Sequence, residues 1–178
     1  MADAPLLVLG DFTLRPWRRD DHDIATLLVA SGDPYIRRFS SVGQVRNRAD
    51  AEAWLRARSG PAHLDWAVER HSEFAGRVGL RRLSREDVEA EVGYWLLPQQ
   101  RGAGLMTAAV LALTRWAFSD GGLGRLEIRH ELDNNRSCAV AERCGYAAEG
   151  TQRGALLRDD VRHDLHLHGK LATDPEPS

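Results

Sequence analysis

The chain has 178 residues, 43% of them hydrophobic, which is enough for one domain with a substantial core. Its 24 basic and 26 acidic residues give a net charge of −2, which argues against a protein that binds nucleic acid through bulk positive charge. No apolar run reaches the length of a membrane span, and the N-terminus lacks the pattern of a signal peptide. The two cysteines, Cys138 and Cys144, are too few for a disulfide scaffold, so we expect buried thiols in a cytoplasmic protein.

The first half of the chain carries one strand pattern, two helix patterns and then three strand patterns. Residues 12–17 predict a strand, and Asp20 or Asp21 can cap a helix that ends at 31–34. Asn47 or Asp50 can begin a second helix. Alternating apolar residues then predict strands at 64–68, 74–83 and 87–97. Gly76 and Gly79, inside the second of these, indicate a bulge or a close backbone approach.

The second half begins with a helix-period segment from Met106 to about Phe118. A strand at 126–132 follows, and Asn134 caps a short helix that Gly145 closes. Two further strands, at 146–149 and 161–167, precede a polar tail at 172–178 that we expect to fray. The order β-α-α-β-β-β-α-β-α-β-β predicts one α/β (α+β) domain over 1–178, its core at about 10–170, with a mixed, mostly antiparallel sheet and helices on both faces.

A glycine-rich turn joins the strand at 87–97 to the helix after it, and it reads Leu97-Pro98-Gln99-Gln100-Arg101-Gly102-Ala103-Gly104-Leu105-Met106. Such a turn favours a phosphate, because backbone N–H groups and the helix dipole converge there. A Walker loop would need Lys-Ser/Thr after Gly104, and a dinucleotide fingerprint would need glycine at Thr107. The pattern Gln99-x-x-Gly102-x-Gly104 instead resembles the acetyl-CoA pyrophosphate loop of the GNAT N-acyltransferase superfamily.

Two more segments strengthen this resemblance. The segment at 133–146, with Asn134, Ser137 and Glu142, is similar to the second CoA-contacting element of the family and stands about 30 residues after the loop, the spacing found in that family. The segment at 74–80 is similar to the third strand of the family. The likeness covers roughly 10–170 and is closest to the ribosomal-protein N-terminal acetyltransferase branch. It implies a GNAT fold that uses acetyl-CoA as cosubstrate.

The resemblance also implies which residues contact the cofactor. Backbone amides from Gln100 to Leu105 would take the pyrophosphate, and the strand around Trp95 would pair with the pantetheine arm where it splays from its neighbour. Arg101 adds a charge-assisted contact or faces solvent, and Asn134 contacts pantetheine, caps its helix, or does both. The expected cofactor-binding residues are Trp95, Leu96, Leu97, Gln100, Arg101, Gly102, Ala103, Gly104, Leu105, Asn134 and Ser137.

Glu91 and Ser137 are the expected catalytic residues. Glu91 is the first candidate for a base that acts through water; Glu89 shares its strand face, and Glu127 and Glu131 are weaker candidates. Each of these carboxylates can instead be a solvated strand residue. Where family members carry a tyrosine acid this chain has Ala141, so Ser137 is the nearest donor to the departing thiolate, unless it only bonds backbone in its helix.

The expected reaction is acetyl transfer from acetyl-CoA to a primary amine by direct attack, and the expected acceptor is a protein or peptide N-terminal α-amine. The alternatives are an antibiotic-type amine acetyltransferase and a non-catalytic acetyl-CoA-binding module. Arg37 and Arg38 would suit an acidic acceptor. His163, His166 and His168 raise the question of a metal, but no further Cys/His cluster completes a site in the sequence, so we expect none. We expect neither a nucleic-acid nor a membrane partner, and a homodimer stays open.

Overall fold

Eight strands form one sheet in the order β1-β2-β3-β4-β5-β6-β8-β7. The computed structural model describes residues 4–58 and 60–177. All strand pairs are antiparallel except β5 with β6. The strands are β1 Leu7–Leu9, β2 Phe12–Pro16, β3 Leu64–Arg70, β4 Glu73–Ser84, β5 Glu89–Leu96, β6 Arg125–Glu131, β7 Ala147–Arg158 and β8 Val161–Leu171.

Five α-helices cover the two faces of the sheet. They are α1 Asp21–Gly32, α2 Pro34–Phe39, α3 Arg48–Ala57, α4 Leu105–Phe118 and α5 Asn135–Arg143. Side-chain caps begin four of them, since Asp20, Asp33, Asn47 and Asn134 each accept a hydrogen bond from a first-turn amide. The fifth helix, α4, has Gly104 at its N-cap position, and glycine has no side chain that could accept a hydrogen bond from a first-turn amide. No helix in the described part of the chain is long and apolar enough to cross a bilayer.

Two apolar clusters hold the helices to the sheet. On one face α4 and α5 pack on Trp66, Val78 and Leu126. On the other face α1, α2 and α3 pack on residues that include Phe74 and Trp95. This confirms the expected mixed sheet with helices on both faces.

The strands β5 and β6 separate after a short stretch of pairing. They are in register only from Glu89–Arg125 to Glu91–Glu127. Beyond that point β5 stays paired with β4 and β6 stays paired with β8, so the two inner edges diverge. A close approach of β4 to β5 supports this arrangement, because a Cβ on Gly76 would lie 2.3 Å from the Trp95 carbonyl oxygen. The splay inferred from the family resemblance is therefore present.

Several expectations need correction. Strand β1 was not predicted. The segment 31–34 was expected only to end a helix, but it ends α1 and also begins α2, where Asp33 is the cap and Pro34 lies in the first turn. Strand β7 extends far beyond 146–149, because Gly150, Gly154 and exposed polar residues hide its alternation. In the described part of the tail, Ala172 N–H donates to the Gly124 carbonyl and Glu176 pairs with Arg115, while the expected fraying stays a prediction.

Candidate functional site

A cleft of 1040 Å³ opens where β5 and β6 diverge. Its floor is the separated strand ends, from Val92 to Leu96 on β5 and from Ile128 to Glu131 on β6. The start of α4 and the first turns of α5 form one wall, and α2 with the turn after it forms another. The strands that diverge thus create both the space and a strand edge that is not paired with β6.

The glycine-rich turn lies at the mouth of this cleft. Gly102 and Gly104 both have positive φ, +88° and +76°, a conformation that side chains strain. A Cβ at either position would meet no protein atom within 4 Å, so open space lies in front of the turn. The amides of the first turn of α4, from Leu105 to Thr107, have no intrahelical acceptor and no capping side chain. This combination suits an anion such as a pyrophosphate.

Not every predicted cofactor residue lines the cleft. Trp95, Leu96, Arg101, Gly102, Gly104, Leu105, Asn134 and Ser137 do so. Leu97, Gln100 and Ala103 lie outside the lining. The amide of Leu97 donates to the Ala75 carbonyl, and the amide of Gln100 donates to the Leu97 carbonyl. These two amides are occupied within the protein, and they brace the turn.

Arg101 is held inside the protein rather than presented to solvent. Its guanidinium donates to the Leu96 carbonyl at 3.0 Å and to Asp33 Oδ1 at 2.6 Å, and it lies over the Tyr35 ring. Partial burial acts to raise the pKa of Asp33, but the bonds from Arg101 and from the Ile36 amide outweigh it and lower that pKa. Arg101 therefore ties α2 to the end of β5, and its contact with a phosphate stays a prediction.

The start of α5 places two hydroxyl groups together. Asn134 Oδ1 accepts from the Ser137 amide at 3.2 Å and from the Tyr35 hydroxyl, so Asn134 is the cap and also a contact to α2. Ser137 Oγ lies 2.9 Å from the Tyr94 hydroxyl, which also donates to the Ser137 carbonyl. Burial raises the pKa of Tyr94, which keeps this hydroxyl protonated.

Tyr94 is a cleft residue inside the strand predicted at 87–97, where the alternating pattern marks it only as an apolar position. It stands on β5, and its hydroxyl reaches α5 across the space between the strands. Position 141, where the family pattern has a tyrosine, is a buried alanine. The alternation of the strand could identify the face of Tyr94 but not that this face meets Ser137.

Glu91 is buried and fully paired. Arg81 Nε and Nη2 donate to Oε1, and Arg129 Nε and Nη2 donate to Oε2. A carboxylate offers about four acceptor positions, and these four donors fill them. The expected base role of Glu91 stays a prediction, but this geometry leaves no oxygen lone pair for a water.

Glu131 differs from Glu91 on this point. It lines the cleft at the end of β6, and it is 5% exposed. Its Oε1 accepts from Arg158, whereas Oε2 makes no hydrogen bond and lies 3.2 Å from His163 Nδ1. Glu127 is bonded to Arg125 and lies outside the cleft lining, and Glu89 also lies outside it. Of the four carboxylates considered from the sequence, Glu131 is therefore the one that lines the cleft, and its buried Oε2 makes no hydrogen bond.

Arg58, which makes no ion pair within the described residues although Asp65 attracts it electrostatically, lies on the α3 side of the cleft. Arg58 stacks on Trp54 at 3.6 Å and donates to the Trp54 carbonyl and Ser41 Oγ. Burial, followed by repulsion from Arg77 and Arg81, lowers the pKa of Arg58 to about 10. Arg37 and Arg38 also line the cleft, and Arg38 pairs with Asp133. This side of the cleft thus carries positive charge.

Four metal-ligand side chains meet under α5. His130 of β6 and Cys138 of α5 join His166 and His168 of β8, and their ligand-type atoms all lie within 4.8 Å of one another. His163, on the opposite strand face beside Glu131, is not part of the group. From the sequence no further Cys/His cluster was expected beside the histidines of β8, and the structure brings His130 and Cys138 to two of them, while the expectation of no metal stays a prediction. Burial lowers the pKa of His130 and of His168.

The two cysteines have different surroundings. Both thiols are free. Cys144 is buried against the Thr107 carbonyl, and burial raises its pKa to about 12. Cys138 is half-buried, so the expectation of two buried thiols is confirmed only for Cys144.

The site combines a splayed parallel strand pair, a glycine turn at a helix start, and a second helix that closes the cleft. This combination is typical of a fold that binds acyl-CoA. Residues 11–147 match the acetyltransferase (GNAT) domain family, and the chain belongs to that family. Its fold is similar to the solved structure of the ribosomal alpha-N-protein acetyltransferase RimL in complex with coenzyme A, with a TM-score of 0.84 at 20% identity, over 94% of this chain and 98% of that one.

Curated relatives match part of the chain. The chain is 35% identical over 101 residues to the putative ribosomal N-acetyltransferase YdaF of Bacillus subtilis. This match covers 57% of the chain and 55% of YdaF. The chain is also 30% identical over 104 residues to the ribosomal-protein-serine acetyltransferase of Escherichia coli, over 58% of each. The match spans little more than half the length of these relatives.

Proposed function

We propose that the chain transfers the acetyl group of acetyl-CoA to a primary amine, and that the acceptor is a protein N-terminal α-amine. The observation that carries this proposal is the meeting of three features in one cleft: the first-turn amides of α4, the edge of β5 that β6 leaves free, and the Ser137–Tyr94 hydroxyl pair. The names of the two curated relatives support a ribosomal-protein acceptor.

In the proposed reaction the neutral amine nitrogen attacks the thioester carbonyl carbon, and the carbon–sulfur bond then breaks. A backbone N–H on the free edge of β5 stabilises the developing oxyanion. The amine loses a proton through water to a carboxylate, and Ser137 donates a hydrogen bond to the departing thiolate. A thiol pKa near about 8.5 makes the thiolate a fair leaving group, so Ser137 contributes a modest factor.

The acceptor determines how strong a base is needed. A peptide α-amine has a pKa near about 8, so roughly a tenth is neutral at pH 7, whereas a lysine amine near about 10.4 is less than about 0.1% neutral. A weak base therefore suffices for an N-terminus. We propose Glu131 for this task instead of Glu91, because Glu131 lines the cleft and its Oε2 makes no hydrogen bond, with His163 Nδ1 at 3.2 Å, whereas all acceptor positions of Glu91 are filled.

The compartment that we propose is the cytoplasm. Both cysteines are free thiols, and Cys138 and Cys144 lie on one short helix and its cap, without a disulfide. Free thiols persist where the surroundings are reducing. Acetyl-CoA is the proposed cosubstrate, and the remaining partner is the amine.

An amine panel tests the proposed function. The purified chain is incubated with acetyl-CoA and either N-terminal peptides of ribosomal proteins, lysine side-chain peptides blocked at the N-terminus, or small amines, and released thiol is measured. We expect turnover highest on a free peptide N-terminus. Highest turnover on small amines would contradict the protein acceptor. Cofactor binding without turnover on any amine would contradict the enzyme and support a binding module.

The phosphate turn gives the first prediction from mutagenesis. Gly104→Ala should lower CoA affinity by at least about tenfold, because its Cβ enters the space in front of the helix amides. Gly122→Ala is the matched control, since Gly122 also has positive φ (+66°) and open space around its Cβ but lies past the end of α4. Each variant should lose about 1–2 kcal/mol of stability from backbone strain. If calorimetry gave Gly104→Ala the same CoA affinity as the unmodified chain, the phosphate turn would be removed from the proposal.

The Ser137–Tyr94 hydroxyl pair gives the second prediction from mutagenesis. Ser137→Ala and Tyr94→Phe should each lower kcat by less than about a hundredfold and leave CoA affinity nearly intact. The double variant should lose little more than either single one, because the two hydroxyls act through one hydrogen bond. Tyr146→Phe is the control, because this buried tyrosine bonds Thr114 instead. Additive losses would show that Tyr94 acts separately from Ser137.

The carboxylates of Glu131 and Glu91 give the third prediction from mutagenesis. Glu131→Gln should slow kcat/KM most at low pH and recover as the pH rises past the amine pKa near about 8, because the amine then deprotonates without help. Glu91→Gln should lower the rate by a constant factor across pH, since it removes the anchor of Arg81 and Arg129. Reversed profiles would return the base role to Glu91. Thermal melts of both variants check that the fold is kept.

A further inference from the structure

The cluster under α5 is assembled from three elements that are distant in sequence. His130 is the residue before the last one of β6, His166 and His168 lie on the same face of β8, and Cys138 faces them from α5. His130 and His168 are buried, with 5% and 0% of their surface exposed. The proposed acetyl transfer uses none of these four side chains.

Hydrogen bonds at the outer side of two rings determine where their lone pairs point. His130 Nδ1 lies 2.8 Å from the Glu131 carbonyl oxygen, and His168 Nδ1 lies 3.4 Å from the Tyr146 carbonyl oxygen. A carbonyl only accepts, so each Nδ1 carries the proton. The Nε2 atom of each neutral ring is then an unprotonated acceptor that points into the cluster. Histidines that bind metals commonly have this arrangement.

The inward nitrogens face one another without enough protons. His130 Nε2 and His168 Nε2 are 3.2 Å apart, and His168 Nε2 is also 3.2 Å from His166 Nδ1. His166 can donate one proton to His168, but no proton then separates the lone pairs of His130 and His168. Two lone pairs at this distance repel, and either a proton on one of the two nitrogens or a metal ion between them relieves that repulsion.

The spacing agrees with a tetrahedral ion. Zinc with nitrogen ligands at about 2.05 Å and sulfur at about 2.3 Å places ligand nitrogens about 3.3 Å apart, and nitrogen and sulfur about 3.6 Å apart. Two of the nitrogen pairs are 3.2 Å apart, Cys138 Sγ lies 3.9 Å from His168 Nε2, and all the ligand atoms lie within 4.8 Å of one another. Small side-chain rotations would therefore close the site around one ion.

We propose that His130, His166, His168 and Cys138 bind one zinc-type transition-metal ion with three nitrogen ligands and one sulfur ligand. With four protein ligands the site is closed, as structural zinc sites are. The ion would link the first half of α5 to β6 and β8. Ser137 precedes Cys138 directly, so the ion would hold the helix turn that carries Ser137 while taking no part in the chemistry.

Cobalt substitution and zinc titration test the proposal. The 178-residue chain is treated with a chelator, kept reduced, and titrated with Co²⁺ and separately with Zn²⁺. We expect one equivalent of Co²⁺ to bind with visible absorption of a tetrahedral site and a near-ultraviolet band from the thiolate–cobalt bond. Zn²⁺ should displace it and raise Tm, because the ion binds the folded chain.

Four variants separate this site from adventitious binding. Cys138→Ser should abolish the thiolate band, and His166→Ala should lower Zn²⁺ affinity by at least about a hundredfold, since even outer-sphere changes cost up to that factor. Both residues are only partly buried, so these variants should fold. Cys144→Ala and His22→Ala are the matched controls and should bind as the unmodified chain does.

Two results would overturn the proposal. One is the absence of saturable Co²⁺ binding by the unmodified chain, which would leave a shared proton as the cation between His130 and His168. The other is binding that Cys138→Ser and His166→Ala leave unchanged, which would place the ion elsewhere. Neither result decides whether the chain transfers acetyl groups, which the amine panel measures independently.

Discussion

The separation of β5 from β6 is the constraint on which the rest of the structure depends. A sheet normally satisfies its backbone groups by continuous pairing, and here the pairing ends after Glu91 and Glu127. Each strand keeps its outer partner, so the sheet stays intact while its two inner edges face a cleft. The start of α4 and the start of α5 both reach this cleft, which places helix amides, a free strand edge and hydroxyl groups within one space.

Ion pairs fix the face of the sheet under α1, α2 and α3. Arg81 and Arg129 clamp Glu91 from β4 and β6, which spans the point where β5 and β6 part. Asp65 pairs with Arg77 on the same face, and a Cβ on Gly79 would collide with Asp65, so the glycine makes room for this pair. Breaking a buried pair by removal of one partner typically costs about 3–5 kcal/mol. These charges therefore hold the strand ends in place, and Asp65, which also attracts Arg58 electrostatically, is paired with Arg77.

Local signals predicted much of the fold. The boundaries of α4 and the cap of α5 at Asn134 agree with the structure, because periodicity and capping act within a few residues. The short helix α2 was missed, since Asp33-Pro34 was interpreted only as the end of α1 although the same residues begin a helix. The long strand β7 was missed because exposed polar residues and two glycines give it little apolar alternation.

The site depends on contacts between distant residues, which a single sequence does not reveal. The strand pattern places Glu91 on a face, but only the sheet order brings Arg129 to it from 38 positions away. The same holds for the histidine cluster: the alternation pairs His166 with His168, whereas His130 and Cys138 arrive from neighbouring elements. The glycine turn is the exception, since its residues are contiguous and its geometry is local.

The end of β6 connects the two faces of the sheet. Successive side chains of a strand point to opposite faces, so His130 faces α5 while Glu131 faces the side of Arg158 and His163. The Glu131 carbonyl accepts from His130 Nδ1, so the backbone of Glu131 is already part of the surroundings of the histidine cluster. An ion held by His130 would restrict this peptide and therefore the direction of the Glu131 carboxylate. Order in the cluster and the position of the proposed base would thus be linked through one residue pair, without contact between the ion and the amine.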